Sequence, residues 1–141
     1  MRQTQAKSPV SDNQASALER ARAYCDAHHP GLEATLNDWF GDMLPEFGES
    51  LIEWAYGRHY SRPGLDSKTR QLATVAALTV LGGQTAPQLK INIEHTLAVG
   101  ASEQEIVEVI WQMAVYGGLP AAINGLTAAR EVFAARKASV A

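Results

Sequence analysis

Asp66 to Gly83 reads DSKTRQLATVAALTVLGG, and this stretch decides the fold class. Asp66 stands where an N-cap belongs, ahead of a helix that opens Ser-Lys-Thr-Arg. From Leu72 to Leu81 the segment is apolar on every side except for its threonines. Gly82-Gly83 supplies the stop. A helix of that kind is expected at the buried centre of a domain. No segment elsewhere alternates apolar and polar residues with the period of a half-buried strand.

Upstream, SRPGLD interrupts the helical pattern, and Pro63-Gly64 suits the central positions of a type II turn with glycine at positive φ. Before it lies PEFGESLIEWAYGRHY, where Phe47, Leu51, Trp54 and Ala55 recur at helical steps. LEATLNDWFGDML is a shorter amphipathic piece ending near Pro45. SDNQASALERARAYCDAHHPG starts at Ser11 or Asp12 as a cap and stops at Pro30-Gly31. Downstream, Pro87 to Val99 forms a helix closed by Gly100. ASEQEIVEVIWQMAVYGG opens with the capping box Ser102-x-x-Glu105 and shows a seam of Ile106, Val109, Ile110, Met113 and Ala114. Pro120 sits in the first turn of a last helix, rich in alanine and glycine, running to about Lys137. The expected fold is all-α, a compact bundle of about seven helices. Residues 1–10 are expected to be a mobile segment and 11–141 a single helical domain.

The 141 residues carry a net charge of -3, so there is no basic footprint for nucleic acid. Scattered charges give no membrane surface, and LATVAALTVLGG is too short to span a bilayer. Cys25 is the only cysteine. That excludes an intramolecular disulfide and a CxxC redox pair, and a lone thiol without a signal peptide fits a reducing cytosol. Zinc motifs, a phosphate-cradling glycine loop and a GxSxG elbow are missing. His28-His29 precede the Pro-Gly stop and read as loop residues.

QLKINIEHTLAVG, Gln88 to Gly100, places a histidine among isoleucines and leucines. On a wheel of about 100° per residue, Lys90 and Glu94 form the wet face. Leu89, Ile93 and Leu97 form one apolar row, and Ile91 and Ala98 another. Gln88, Asn92, His95 and Val99 run between the rows as a polar stripe. Buried polar groups need partners, so the stripe is either an internal hydrogen-bond network or a ligand-facing line. Arg58, His59 and Arg62 cluster beside Tyr60. Arg70 occupies the first turn of the apolar helix, where the helix dipole disfavours a cation, so a specific anionic partner is expected. Each arginine also reads as a solvated surface charge. Gln112 and Tyr116 lie one turn apart, with Tyr116 a candidate core anchor.

YSRPGLDSKTRQLATVAALTVLG, followed by QLKINIEHTLAVGASEQEIVEVIWQMAVYGGLPAAINGL, resembles the carboxymuconolactone decarboxylase family. The resemblance runs from about Trp54 to Glu131. It rests on the Arg-Pro-Gly-Leu turn, the Lys-Thr-Arg helix start, His95 before the Gly100 stop, and the Tyr-Gly-Gly-x-Pro-Ala-Ala corner. The same superfamily contains AhpD-type alkylhydroperoxidases with a CxxC pair ahead of the histidine. Counted back from His95, those cysteines would fall on Gln88 and Ile91, and the assisting acid near Ala76. Thiol peroxidase chemistry therefore lacks its nucleophile here.

The resemblance implies decarboxylation of a carboxylated γ-lactone in aromatic catabolism, without metal or organic cofactor. On that reading His95 delivers a proton, because imidazole titrates near the working pH. Arg62 or Arg70 holds the remaining carboxylate as a bidentate guanidinium would. Gln88, Asn92 or Tyr116 donates to the developing oxyanion. Family members of this size are commonly trimers or hexamers, so the resemblance implies a homo-oligomer. Two other readings stay open: a superfamily relative acting on another small acid or a peroxide, and a non-enzymatic helical assembly that binds a small ligand.

Overall fold

Helices make up the regular structure of residues 15–140, the part of the chain that the computed structural model describes. They run α1 (Ala17–His28), α2 (Leu32–Phe40), α3 (Phe47–Ile52), α4 (Ser67–Val80), α5 (Ala86–Ala98), α6 (Glu103–Gln112), α7 (Ala114–Gly117) and α8 (Leu119–Val140). A π-helical stretch, Glu53–Tyr60, continues α3, and a 3-10 turn, Gly83–Thr85, precedes α5. The fold is all-α, and no strand occurs among the described residues. No helix among them is long and apolar enough to cross a membrane. Packing divides the chain into two compact units, one of residues 15–26 and Gly31–Ser61, the other of Ala27–Pro30 and 62–140.

In the second unit α4 packs on α5, α6, α7 and α8. The Asp66 carboxylate accepts the Thr69 amide at 2.7 Å, which is the cap the sequence calls for. Ser102 and Glu105 exchange their capping-box bonds at 3.0 Å each. Gly82 and Gly100 take φ of 94° and 99°, a region that glycine enters without steric cost, and end α4 and α5. Val75, Leu89, Ile93, Ile106, Ile110, Ala128, Ala129 and Val132 make the core. The alanines and Gly125 of α8 let its backbone come close to α6 and α4.

Three expectations change here. The apolar α4 is not buried all round: Gln71, Val75 and Thr79 are buried, while Ala73, Ala77 and Val80 are exposed on the other side. Gly64 does not take positive φ, so Pro63-Gly64 is not a type II turn. The Arg70 guanidinium instead gathers the turn, donating to the Leu65 carbonyl at 3.2 Å and the Arg62 carbonyl at 3.0 Å. The last helix also runs on to Val140.

The first unit closes on Ala21, Cys25, Leu36, Ile52 and Tyr56. The α-periodic seam expected through Trp54 breaks because the chain turns π-helical at Glu53. A π-helix takes more residues per turn than an α-helix. The phase slips, Tyr56 rotates into the core, and Trp54 is left 64% exposed. α2 stops at Phe40 with Gly41 as its C-cap, short of Pro45. Residues 1–10 and the Ser11 or Asp12 cap lie outside the described residues. Near the start of α1 the Ser16 hydroxyl accepts the Glu19 amide at 3.1 Å.

Candidate active site

Leu89 and Ile93 anchor α5 in the second unit's core and so fix its rotation. That rotation leaves His95, near the C-terminal end of the helix, half-buried beside the core rows. Its ring stacks on His29, with centroids 3.9 Å apart and planes 22° from parallel. His29 follows the end of α1, and the residue is 6% exposed. Gly31, at φ 83°, then turns the chain into α2. The His28 ring lies 6.2 Å from that of His29.

Burial sets the protonation of both stacked rings. Desolvation lowers the pKa of His95 below 6.5, against a smaller opposing pull from Glu94. His29 is lowered to about 4, first by desolvation and then by the charge of His95 and of His28. Both imidazoles are therefore neutral at pH 7.

The rest of the α5 stripe resolves residue by residue. Asn92 is half-buried and turns its amide back on its own helix, donating to the Gln88 carbonyl at 2.9 Å. The Gln88 side chain is exposed. Thr96, fully buried, donates to the Asn92 carbonyl at 2.5 Å. The wet face is not merely solvated: Glu94 accepts Arg136 of α8 at 3.0 Å, and Lys90 pairs with Glu131 of the same helix.

Arg70 is half-buried and spends two of its donors on the turn carbonyls, so its partner is backbone rather than an anion. The carbonyls offset the unfavourable position of a cation at a helix N-terminus. Arg62 is exposed at the start of that turn. Among the described residues, neither guanidinium forms an ion pair. In the first unit Arg58 pairs with Glu53 at 3.0 Å, and His59 lies edge-on to Trp54 at 4.5 Å between centroids. Tyr116 is 83% exposed on α7 rather than anchored in the core.

Sequence reasoning missed two polar groups of the second unit. The Pro-Gly stop makes His29 a loop residue, and no local pattern signals its contact with α5. Gln71 is 0% exposed, and neither of its amide atoms has a hydrogen-bond partner among the described residues. Its signal was present: Gln71, Val75 and Thr79 share one face of α4 at helical spacing. An amide buried without partners costs ~1–3 kcal/mol, so Gln71 is held there by its surroundings at the expense of stability.

Cys25 is buried in the first unit, and desolvation pushes its thiol up to about 11. A thiol of that kind is a poor nucleophile. Among the described residues no group of three or more His, Cys, Asp or Glu side chains has metal-binding geometry. What the second unit offers is an oriented, neutral imidazole in apolar surroundings, on the same unit as two guanidinium groups that have no carboxylate partner among the described residues.

Residues 45–131 match the model of the carboxymuconolactone decarboxylase family. That window contains Arg62, Arg70, Gln88, Asn92, His95 and Tyr116 but not His29. An uncharacterized 15.0 kDa protein in the nqo9-nqo10 intergenic region of Paracoccus denitrificans is 39% identical over 119 residues, 84% of this chain and 86% of that protein. The 4-carboxymuconolactone decarboxylase of Acinetobacter baylyi is 34% identical over 92 residues, 65% of this chain and 67% of that enzyme. The nitrosuccinic acid decarboxylase npaB of Metarhizium robertsii is 36% identical over 80 residues, 56% of this chain and 54% of that enzyme. Together these matches support a decarboxylase-type activity.

Proposed function

The chain belongs to the carboxymuconolactone decarboxylase family, and from that premise we propose that it is a cofactor-free carboxy-lyase. Its substrate is a small carboxylated γ-lactone of the 4-carboxymuconolactone kind, from the catabolism of aromatic rings. The observation that carries this reading is His95, half-buried on α5 with its ring held flat against a second imidazole.

The chemistry sets the demands. In such a lactone the departing carboxylate sits on the γ-carbon, conjugated through a double bond to the ring carbonyl. When the carbon–carboxylate bond breaks, CO2 leaves and the electron pair moves onto the carbonyl oxygen as a dienolate. A proton must then reach carbon, and His95 in its imidazolium form supplies it, leaving a neutral ring that solvent reprotonates. Arg62, or the donors of Arg70 that the turn leaves over, holds the second carboxylate of the substrate. Gln88, Asn92 or Tyr116 donates to the oxyanion.

A resting His95 with a lowered pKa is compatible with an acid role. An anionic substrate beside it favours the charged ring and raises its pKa in the complex. Turnover per enzyme should then fall as pH rises through the raised pKa of the complex. The specificity constant should fall earlier, through the lower pKa of the free enzyme, below 6.5.

The assembly we propose is a homo-oligomer, a trimer or hexamer, in the cytoplasm. Val115 is 71% exposed and Tyr116 83%, with Trp111, Leu119 and Ile123 each half-exposed on the adjoining helices. Exposed apolar residues grouped this way mark an interaction surface. The single cysteine suits a reducing compartment.

The deciding measurement is CO2 release from a panel of carboxylated lactones and keto acids, with His95→Gln beside the wild type. The variant should fold and assemble, yet turn over about 10²–10⁴-fold more slowly. Substrate affinity should change less. An undiminished rate in folded variant would refute the acid role. Exclusive turnover of a peroxide would refute the lyase itself.

A further inference from the structure

We propose that His29 is a positioning residue for His95: its imidazole, stacked face to face on the α5 ring, fixes the plane of that ring and confines the pair to one proton. This rests on the reading of His95 as the acid, and extends the site to a residue outside the matched window 45–131. The geometry carries it. Centroids 3.9 Å apart and planes within 22° leave no room for water between the rings. A side chain on α5 has its own rotamer freedom, and a flat neighbour across its face removes much of it. A proton donor that must meet one carbon of a bound lactone gains from that restriction.

Two positive rings at that separation repel each other, so the pair titrates in two coupled steps. The first proton belongs to His95. Desolvation weighs on both rings and holds that of His29 lower, at about 4, so His29 is still neutral while His95 titrates and the repulsion falls on the second proton. Several charged groups on α5 and on the helices packed against it are engaged elsewhere. Glu94, beside His95, binds Arg136 of α8, and Lys90 binds Glu131. On α4, Lys68 pairs with Glu105 of α6 at 2.8 Å, and Arg70 holds the turn carbonyls. His28 is the other titratable neighbour of His29, on its own segment. His95 can thus give up its proton without His29 competing for it, and the pair is neutral after each delivery.

The test is a pH titration of the imidazole carbon-bound protons by NMR, on the full chain, which has 4 histidines. The wild type is compared with His95→Gln, His29→Phe and His29→Ala. His95 should titrate above His29 in the wild type. In His95→Gln the midpoint of His29 should rise by about one pH unit, because the opposing charge is gone. His29→Phe keeps a flat face and should leave the His95 midpoint depressed. His29→Ala admits water and should move it up toward 6.5. In the decarboxylation assay His29→Ala should lose about tenfold or more in kcat with little change in KM, and His29→Phe should recover most of it.

An unmoved His29 midpoint in His95→Gln overturns the coupling. Phe and Ala variants with equal His95 midpoints, or equal and undiminished kcat, overturn the positioning role. If His29→Ala does not fold, the His29→Phe and His95→Gln titrations decide. The titrations need no substrate, so a wrong substrate class and a wrong role for His29 give different results.

Discussion

Gly57 and Gly125 are both buried helical glycines, one in each compact unit, and a Cβ would meet different obstacles at the two. At Gly57 it would strike the Ala17 carbonyl, with the carbonyl carbon at 2.7 Å. At Gly125 it would meet the Ile110 Cγ2 at 2.8 Å and the Thr79 Cγ2 at 3.0 Å, which are ends of side chains. At Gly57 main chain presses on main chain, whereas at Gly125 side-chain methyls stand between the helices. Arg20 strengthens the contrast, because its Nε and Nη2 donate to the Gly57 carbonyl at 3.2 and 3.1 Å. So does Gly48, where a Cβ would come within 2.5 Å of the Glu33 carbonyl. Side chains can rotate away from an intruder, whereas a packed backbone must move as a body.

The strongest way to break this comparison is Gly57→Ala. It should cost about 3 kcal/mol or more, at the upper end for a single methyl, because Ala17 has no rotamer to change. Urea denaturation measures it, and a loss under ~1 kcal/mol would mean that the helix–backbone contact gives way freely. Gly125→Ala should cost ~1–3 kcal/mol, since Ile110 and Thr79 can shift within their rotamers. Equal losses at the two glycines would erase the distinction between the units. Ser102→Ala probes the local layer of the second unit, where the hydroxyl caps the Glu105 amide at 3.0 Å. It should cost ~1 kcal/mol, seen as a small fall in melting temperature with no change of fold.

The second unit was the more legible one, for the same physical reason. Caps at Asp66 and Ser102 and glycine stops at Gly82 and Gly100 are local chemistry, written within a few residues of where they act. Leu89 and Ile93 follow the helical period and are buried accordingly. In the first unit the period itself changes at Glu53, and a wheel drawn at α-spacing points Trp54 inward when it is exposed. Gly64 shows a further limit. A Pro-Gly pair favours a type II turn, yet Arg70 shapes this turn by collecting its carbonyls.

The candidate site divides along the same line. His95 is readable as a polar residue in an apolar helix, whereas the anion expected for Arg70 is replaced by two backbone carbonyls. Asn92 and Gln88 shared the stripe by spacing, but the amide of Asn92 found a carbonyl on its own helix and Gln88 faces solvent. Tyr116 looked like an anchor and is exposed on α7.

By itself the sequence determined the all-α class, the caps at Asp66 and Ser102, the glycine stops at Gly82 and Gly100, the core row of α5, the lack of a CxxC pair, and the family. All of these depend on residue type and on spacing along the chain. Tertiary structure alone decided that His29 covers His95, that the buried Gln71 amide has no partner among the described residues, and that the Arg70 guanidinium serves a turn. The His29–His95 contact joins residues far apart in the chain. Which distant groups meet depends on how whole helices pack, and no local preference encodes that.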